Sequence, residues 1–355
     1  MNVLDRYVVG TILRAFGVVL LAVGALSLVI SFLNEADQLG KGSYGLLDVS
    51  LFALLTLPER LQLVMPVVAL LGALLGLGGL AAGSELVVVR SAGVSVLRLT
   101  GSVALAGLLL AGVTGLTGEW LAPSAMRTAE TLRDQARYGP EQVQSVRGGL
   151  WLRDQGDVIR IQGSLAEDFL TGLEIYRLDE TGRFAALIHA QRARYREGGW
   201  QLEDVRITRF EDNRVTTETQ NTRPWSVSLQ PSFLRLSVVK PEELSSLGLA
   251  DYIDYLARND VATTDYRLAL WRNLAAPVTV FAMCLLALPF AFGSLRSVGA
   301  GQRLFVGGLV GVVFFIVNEI AASSGQVYGL PAWLAASWPT LALVVLTVIW
   351  LRRLR

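Results

Sequence analysis

Six apolar runs, each about as long as a bilayer core is thick, limit what this chain can fold into. A spanning helix needs roughly 20 mainly apolar residues. The runs cover residues 15–33, 61–83 and 99–117, then 273–295, 304 to about 325, and 331–351. Runs so long and so poor in charge are rarely soluble core. The fifth is interrupted by Asn318 and Glu319, whose place is the interfacial end of the helix. The expectation is an α-helical membrane protein with six transmembrane helices in two sets of three.

Charge is gathered between the two sets. Of the 61 charged side chains, 42 lie from Arg127 to Arg272 and 19 in the flanks. The net charge of +1 gives no global pull toward nucleic acid. Orientation follows from Lys and Arg in the short loops. Arg6, Arg14, Arg90, Arg98, Arg296, Arg303, Arg352, Arg353 and Arg355 share one side, against Lys41 and Arg60 on the other. Nine against two predicts both termini in the cytoplasm and the polar block outside. The first span carries no small-residue cleavage motif and is read as a retained anchor.

The polar block has strand character. "LWLRDQGDVIRIQ" reads as a hairpin about Asp154 to Asp157, with further turns at Thr181-Gly182 and Gly198-Gly199. Short alternating strands with glycine turns predict an all-β sandwich or roll. A helical pattern over 124–138, ending at Gly139-Pro140, leads into it, and "LADYIDYLARND" makes a short helix after it. The division expected is 1–138 for the first three spans, 139–245 for the β-domain, and 246–355 for the connecting helix and last three spans. Trp120 and Trp271 mark the interface. His189 is an ordinary strand histidine.

Catalytic chemistry is missing. There is no G-x-x-x-x-G-K-[ST] phosphate loop, no H-E-x-x-H and no G-x-S-x-G. One Cys (Cys284) and one His exclude an internal disulfide and predict no zinc site. The membrane carboxylates Glu119 and Glu319 lie near outer span ends, where the cost of burying charge falls, and are read as structural. A non-catalytic subunit with no cofactor of its own is expected, drawing energy from a partner.

One segment suits that partnership. "SELVVVRSAGVS", Ser84 to Ser95, joins the second and third spans in the cytoplasm. It predicts a short helix over about 84–94, with Ser84 as N-cap and Glu85 near the positive helix end. Leu86, Val89 and Val94 form one apolar face, and Arg90 follows. Such a helix either closes a loop or transmits force from a soluble ATPase.

Several further stretches carry a resemblance. "LDRY" at Leu4 to Tyr7, "GSY" at Gly42 to Tyr44, "ALLGALLGLGGLA" followed by "SELVVVRSAG", "GEWLAP" at Gly118 to Pro123, "GGLWLRD" at Gly148 to Asp154 and "GSLRSV" at Gly293 to Val298 occur in order over the whole chain. Together they resemble the lipopolysaccharide-export permeases, the LptF/LptG family, and are most similar to its LptG branch. The resemblance implies that the inserted β-domain is a periplasmic jellyroll. It implies a permease subunit of an ABC transporter that extracts lipopolysaccharide from the outer leaflet of the inner membrane. The partners implied are an LptF-like permease, two LptB-like ATPases holding ATP and Mg, an LptC-like single-span protein and an LptA-like periplasmic bridge. The helix at Glu85, Leu86, Val89 and Arg90 then docks on the ATPase, and the first and fifth spans form lateral gates.

The lipid path is expected at three places. Lipid A phosphates need cations, and Arg forks bind phosphate in two places at once. Lys41, Arg60, Arg127, Arg133 and Arg137 are the outer cations. Arg133 matches a basic position of the family and shares a helix face with Arg137; Glu130 and Asp134 are their alternative partners. The family's lysine cluster after the first span is replaced by "LNEADQLGKG", with Glu35 and Asp37, so contacts made by those lysines do not transfer. Gly17, Gly24 and Ser31 recur every seven residues on the first span, next to Leu28 and Phe32. Gly307 and Gly311, with Phe314, lie on the fifth, and small residues allow close, reversible helix contact. A permease for lipoprotein release or peptide export is the alternative reading, and a lipid-modifying membrane enzyme would need an interfacial His, Asp or Ser cluster that is not found.

Overall fold

The computed structural model describes residues 3–138, 145–154, 157–166, 169–178, 184–196, 199–211, 214–225, 227, 241–258, 262–292, 299–328 and 330–353. The helices are α1 (Val3–Ala36), α2 (Leu46–Ala82), α3 (Glu85–Ser91), α4 (Val96–Leu116), α5 (Ala122–Tyr138), α6 (Ser246–Arg258), α7 (Thr264–Phe292), α8 (Ala300–Tyr328) and α9 (Ala332–Arg353). Strands β1 (Ser145–Asp154), β2 (Asp157–Ala166), β3 (Phe169–Leu178), β4 (Phe184–Arg196), β5 (Gly199–Glu211) and β6 (Arg214–Trp225) fall between α5 and α6. Six helices are long and apolar enough to cross a membrane: α1, α2, the α4–α5 helix, α7, α8 and α9. The fold class is the one hydropathy predicts.

Two spans form the centre. The second and fourth, α2 and α7, pack against each other and carry most of the buried side chains, including Leu70, Leu74, Leu77, Met283, Leu286 and Leu288. The first and fifth, α1 and α8, are the least buried, and both lie on α2. Their outer faces are apolar: Leu21 and Leu26 on α1 and Phe305 and Leu309 on α8 are all more than half exposed. In water such faces would be a liability; in a bilayer, lipid or another subunit covers them.

Glycines set these contacts. A Cβ at Gly72 of α2 would lie 2.6 Å from the Phe16 Cα, and one at Gly76 would lie 3.1 Å from the Ile12 Cα. The backbones of α1 and α2 therefore touch along two turns. Gly78 makes room for the Cδ and guanidinium of Arg303, which is buried beside the end of α2.

The third span does not stop at residue 117. It passes through a π-helical turn, Thr117–Leu121, and runs on as α5. Gly118 in that turn accommodates the Gln62 amide pressed against it. Glu119 accepts from the backbone amides of Ser246 (3.0 Å) and Leu247 (3.3 Å). A carboxylate thus caps the N-terminus of α6, where the helix dipole favours negative charge. The "GEWLAP" string is the joint between bundle and β-domain, and Glu119 is structural.

The strands form one antiparallel sheet in the order β1 to β6. The first hairpin is the expected one, with Asp154 opposite Asp157. The turn expected at residues 181–182, Gly198, the Gly139-Pro140 end of the leading helix and the "GSLRSV" segment lie outside the described residues. Alternate residues, Ile159, Ile161, Leu173, Ile175, Ile188, Ala190, Val205 and Ile207, make the buried face. Leu249, Tyr252, Tyr255 and Leu256 of α6 pack on it. His189 stands opposite Glu174 and Arg206 in mid-sheet, as an ordinary strand residue does.

Candidate functional site

Three groups of residues were expected to work, and the structure gives each a different setting. The first is α3. Leu86 is 4 % exposed and joins the bundle core, while Val87 and Val88 are exposed. Val89 and Val94 are half-buried, and Glu85 and Arg90 are exposed. Leu86, Val89 and Val94 do share one face, but it turns toward the bundle, so Leu86 and Val89, expected among the ATPase-docking residues, are an anchor instead, and Val87, Val88, Glu85 and Arg90 are left on the accessible side. The cap is not as expected. Ser84 has φ 59°, in the left-handed region, and its side chain caps nothing. An αL residue turns its side chain away from the first-turn amides that an extended N-cap would reach. Glu85 is held instead by Tyr7, whose hydroxyl donates to Oε2 at 2.8 Å.

The second group is the outer collar. Arg133 on α5 reaches Glu35 at 3.8 Å and pairs with Glu130, and its guanidinium lies 4.9 Å over the Phe52 ring. Glu35 is buried and also accepts from the Tyr44 hydroxyl at 3.3 Å. Burial, then the Glu35 charge, pushes the Tyr44 phenol upward. The acid that looked like a departure from a basic cluster is thus the partner of the arginine. "GSY" gains a meaning as well. Gly42, at φ +65°, passes against the Arg137 and Ala136 carbonyls where a side chain would clash. Ser43 donates to the Ala136 carbonyl from its backbone N–H (2.8 Å) and its hydroxyl (2.9 Å), closing the C-terminal end of α5. Lys41 donates to Gln38 at 2.7 Å, and the Arg127 Nε donates to the Pro123 carbonyl at 3.2 Å. Arg60 is half-buried on α2, with its Nε enclosed. Lys41, Arg127 and Arg133 are thus already engaged within the chain.

The third group lies on the flanking spans. Gly24 and Ser31 are buried against α2, the latter 3.3 Å from the Thr56 hydroxyl, with Leu28 and Phe32 half-buried beside them. Gly17 is different: nothing lies within 4 Å of its Cβ position. On α8 the inward row is Arg303, Gly307, Gly311 and Phe314. A Cβ at Gly307 would lie 2.6 Å from the Leu74 Cδ1, and one at Gly311 would lie 2.5 Å from the Val67 Cγ1. Beyond Gly311 the helices part around a cavity of about 420 Å³. Its base includes Leu63, Pro66, Val67 and Phe314, and its rim Glu59, Arg272 and Asn318. Such a volume matches the roughly 300–1,000 Å³ of small-molecule sites. Arg272 pairs with Glu319 at 2.6 Å, joining the N-terminal part of α7 to the C-terminal part of α8. The α1 residues do not line this cavity.

Reading the sequence missed four parts of these sites: Tyr7, the glycine pair 72 and 76, the Arg272–Glu319 pair, and the cavity rim. The glycine pair had a signal in its four-residue spacing. The others join residues far apart in sequence.

The family profile described as lipopolysaccharide export system permease LptF/LptG matches residues 6–353. The lipopolysaccharide export system permease protein LptG of Haemophilus influenzae is 35% identical over 347 residues, covering 97% of each chain. Its namesake in Escherichia coli K12 is 33% identical over 353 residues, 99% of this chain and 98% of that one. With six spans, an inserted antiparallel domain and a match from end to end, the chain belongs to the LptF/LptG family of lipopolysaccharide export permeases.

Proposed function

We propose that this chain is an LptG-type subunit that draws lipopolysaccharide from the outer leaflet of the inner membrane toward a periplasmic LptA-like bridge. Two LptB-like ATPases, holding ATP and Mg, supply the energy from the cytoplasm, alongside an LptF-like permease and an LptC-like single-span protein. The observation that carries this reading is α3. It places Val87 and Val88, both exposed, next to an exposed acid in a chain without a phosphate loop. An apolar groove on a soluble partner would cover those valines. Glu85→Lys or Val88→Asp should leave the chain inserted while lowering ATPase recovery and lipid-stimulated hydrolysis. Normal recruitment and normal export in both variants would overturn the reading.

Orientation belongs to the same proposal. The nine-to-two arginine and lysine asymmetry puts the termini in the cytoplasm and the sheet in the periplasm. A label at Gly199 should react from outside the inner membrane, and one near Arg353 only from within. A gate made of a first and a fifth span needs two subunits, because α1 and α8 here each lie on α2. Their exposed apolar faces then meet the second permease, and a photocrosslinker at Leu28 or Phe32 captures lipid. Phosphate contact by Arg133 competes with Glu35 and Glu130, so headgroup binding there is an exchange of partners.

A further inference from the structure

Glu85 is tied to the bundle through a residue far from it in sequence. The Tyr7 hydroxyl, on the first span, donates to its Oε2 at 2.8 Å. Two residues earlier, Asp5 accepts from the Ser102 hydroxyl of the third span at 2.8 Å. The start of α1 is thus fixed to α4 and in turn holds the start of α3. At the other end of α3, the Arg90 guanidinium lies 5.8 Å over the ring of Phe292, the last residue of α7. Between them Leu86 is buried in the core. A seven-residue helix is therefore attached to the first span, the core and the fourth span. Those spans belong to the two different sets of three.

We propose that Tyr7 is a positioning residue that orients the Glu85 carboxylate and carries load from α3 to the first span, while Arg90 and Phe292 pass it to the fourth. The proposal rests on reading α3 as the ATPase-facing helix. The physical case has three parts. A phenol donating to a carboxylate makes a charge-assisted bond, about twice as strong as a neutral one. Ser84 provides no side-chain cap, so the direction of the Glu85 side chain is set by Tyr7 and not by its own helix. A helix of seven residues is too short to be stable alone, so its position follows its attachments. Oε2 is engaged by Tyr7, and the remaining acceptor positions suit a cationic side chain of the partner. The first span turns an apolar face outward, so displacing its cytoplasmic end moves a helix that borders the lipid.

The test uses the complete transporter in proteoliposomes with lipopolysaccharide as cargo. Tyr7→Phe removes the hydroxyl and keeps the ring. The expected result is lipid moved per ATP lowered about five- to tenfold, with ATPase retention and hydrolysis each falling by no more than about twofold. A purely structural role would instead lower assembly, hydrolysis and export together. In a Glu85→Ala background, Tyr7→Phe should add less than about twofold, because one interaction is removed once. A bis-maleimide joining Tyr7→Cys to Glu85→Cys should form in the assembled complex, which keeps the proposal testable even if Tyr7→Phe inserts poorly. Unchanged lipid movement per ATP in Tyr7→Phe, fully multiplicative losses, or no crosslink would overturn the tether. If Glu85→Ala itself leaves recruitment and export intact, it is the docking role of α3 that fails. If Glu85→Ala is damaging and Tyr7→Phe is silent, only the tether fails.

Discussion

The first and fifth spans invite comparison, because both lie on the second and both turn an apolar face outward. They are held in different ways. The first meets α2 backbone to backbone at Gly72 and Gly76, and it is pinned along its length by Asp5–Ser102, Ser31–Thr56 and Glu35–Arg133. The fifth meets α2 through its own glycines, which rest on the tips of Leu71, Leu74 and Val67. Its C-terminal half stands off across a cavity, tied to the fourth span by the half-exposed pair Arg272–Glu319. A backbone contact cannot yield, whereas a side-chain tip can rotate to another rotamer. The first span is thus built as a fixed wall and the C-terminal half of the fifth as a part with room to move.

The largest effect should come from the contact that cannot yield. Gly72→Ala should destabilise the purified protein by about 3 kcal/mol and Gly307→Ala by about 1 kcal/mol, the range found for overpacked sites. Thermal melts in one detergent would check the ratio; equal losses would break the comparison. Next, Glu35→Ala should cost about 1–2 kcal/mol, since Arg133 keeps Glu130 but loses a charged partner. The same variant should raise lipid capture near Arg133 if that arginine exchanges partners with a phosphate, whereas a fixed structural arginine would show no gain.

What sequence could supply divides along similar lines. Spans were legible because hydropathy is summed over twenty residues and tolerates local errors. The first β-hairpin was legible because its two strands are adjacent and alternate around a short turn. Ser84 was misread because residue type suggests a cap while the αL backbone denies it. Gly17 was read with Gly24 and Ser31 because heptad spacing gives a face but not where a neighbouring helix ends its contact. The glycines that matter most for α1 are on α2. Glu35 was read as a missing lysine, since its partner is about a hundred residues away. "LDRY", "GSY" and "GEWLAP" were legible as strings, while Tyr7–Glu85, Ser43–Ala136 and Glu119–Ser246 needed coordinates.

Smaller effects sharpen the contrast. Arg272→Ala should change stability by less than about 1 kcal/mol, as expected for a pair with solvent access. Spin labels at the ends of the fourth and fifth spans that this pair joins should nevertheless give a broader distance distribution than the parent, and an unchanged distribution would remove the pair's role as a tie. Smallest of all, Gly17→Ala should be neutral or stabilising by up to about 1 kcal/mol, through helix propensity alone. A loss there would mean that this stretch of the first span touches something in the membrane that the isolated chain does not supply.

The π turn at Thr117–Leu121 bears on how such a chain can vary. A π turn holds one residue more than an α-helix of the same height, and that extra residue sets the angular position of everything after it. Deleting one residue there would rotate the segment beyond by about 100°. Glu119 would then leave the amides of Ser246 and Leu247, and Gly118 would leave Gln62. The ends of the β-strands face no such constraint, because an added residue in a hairpin turn is absorbed locally. Length changes among relatives should therefore gather at the strand turns and be absent from these five residues, so that the inserted domain can be enlarged or trimmed while its seat on the membrane helices stays at one fixed angle.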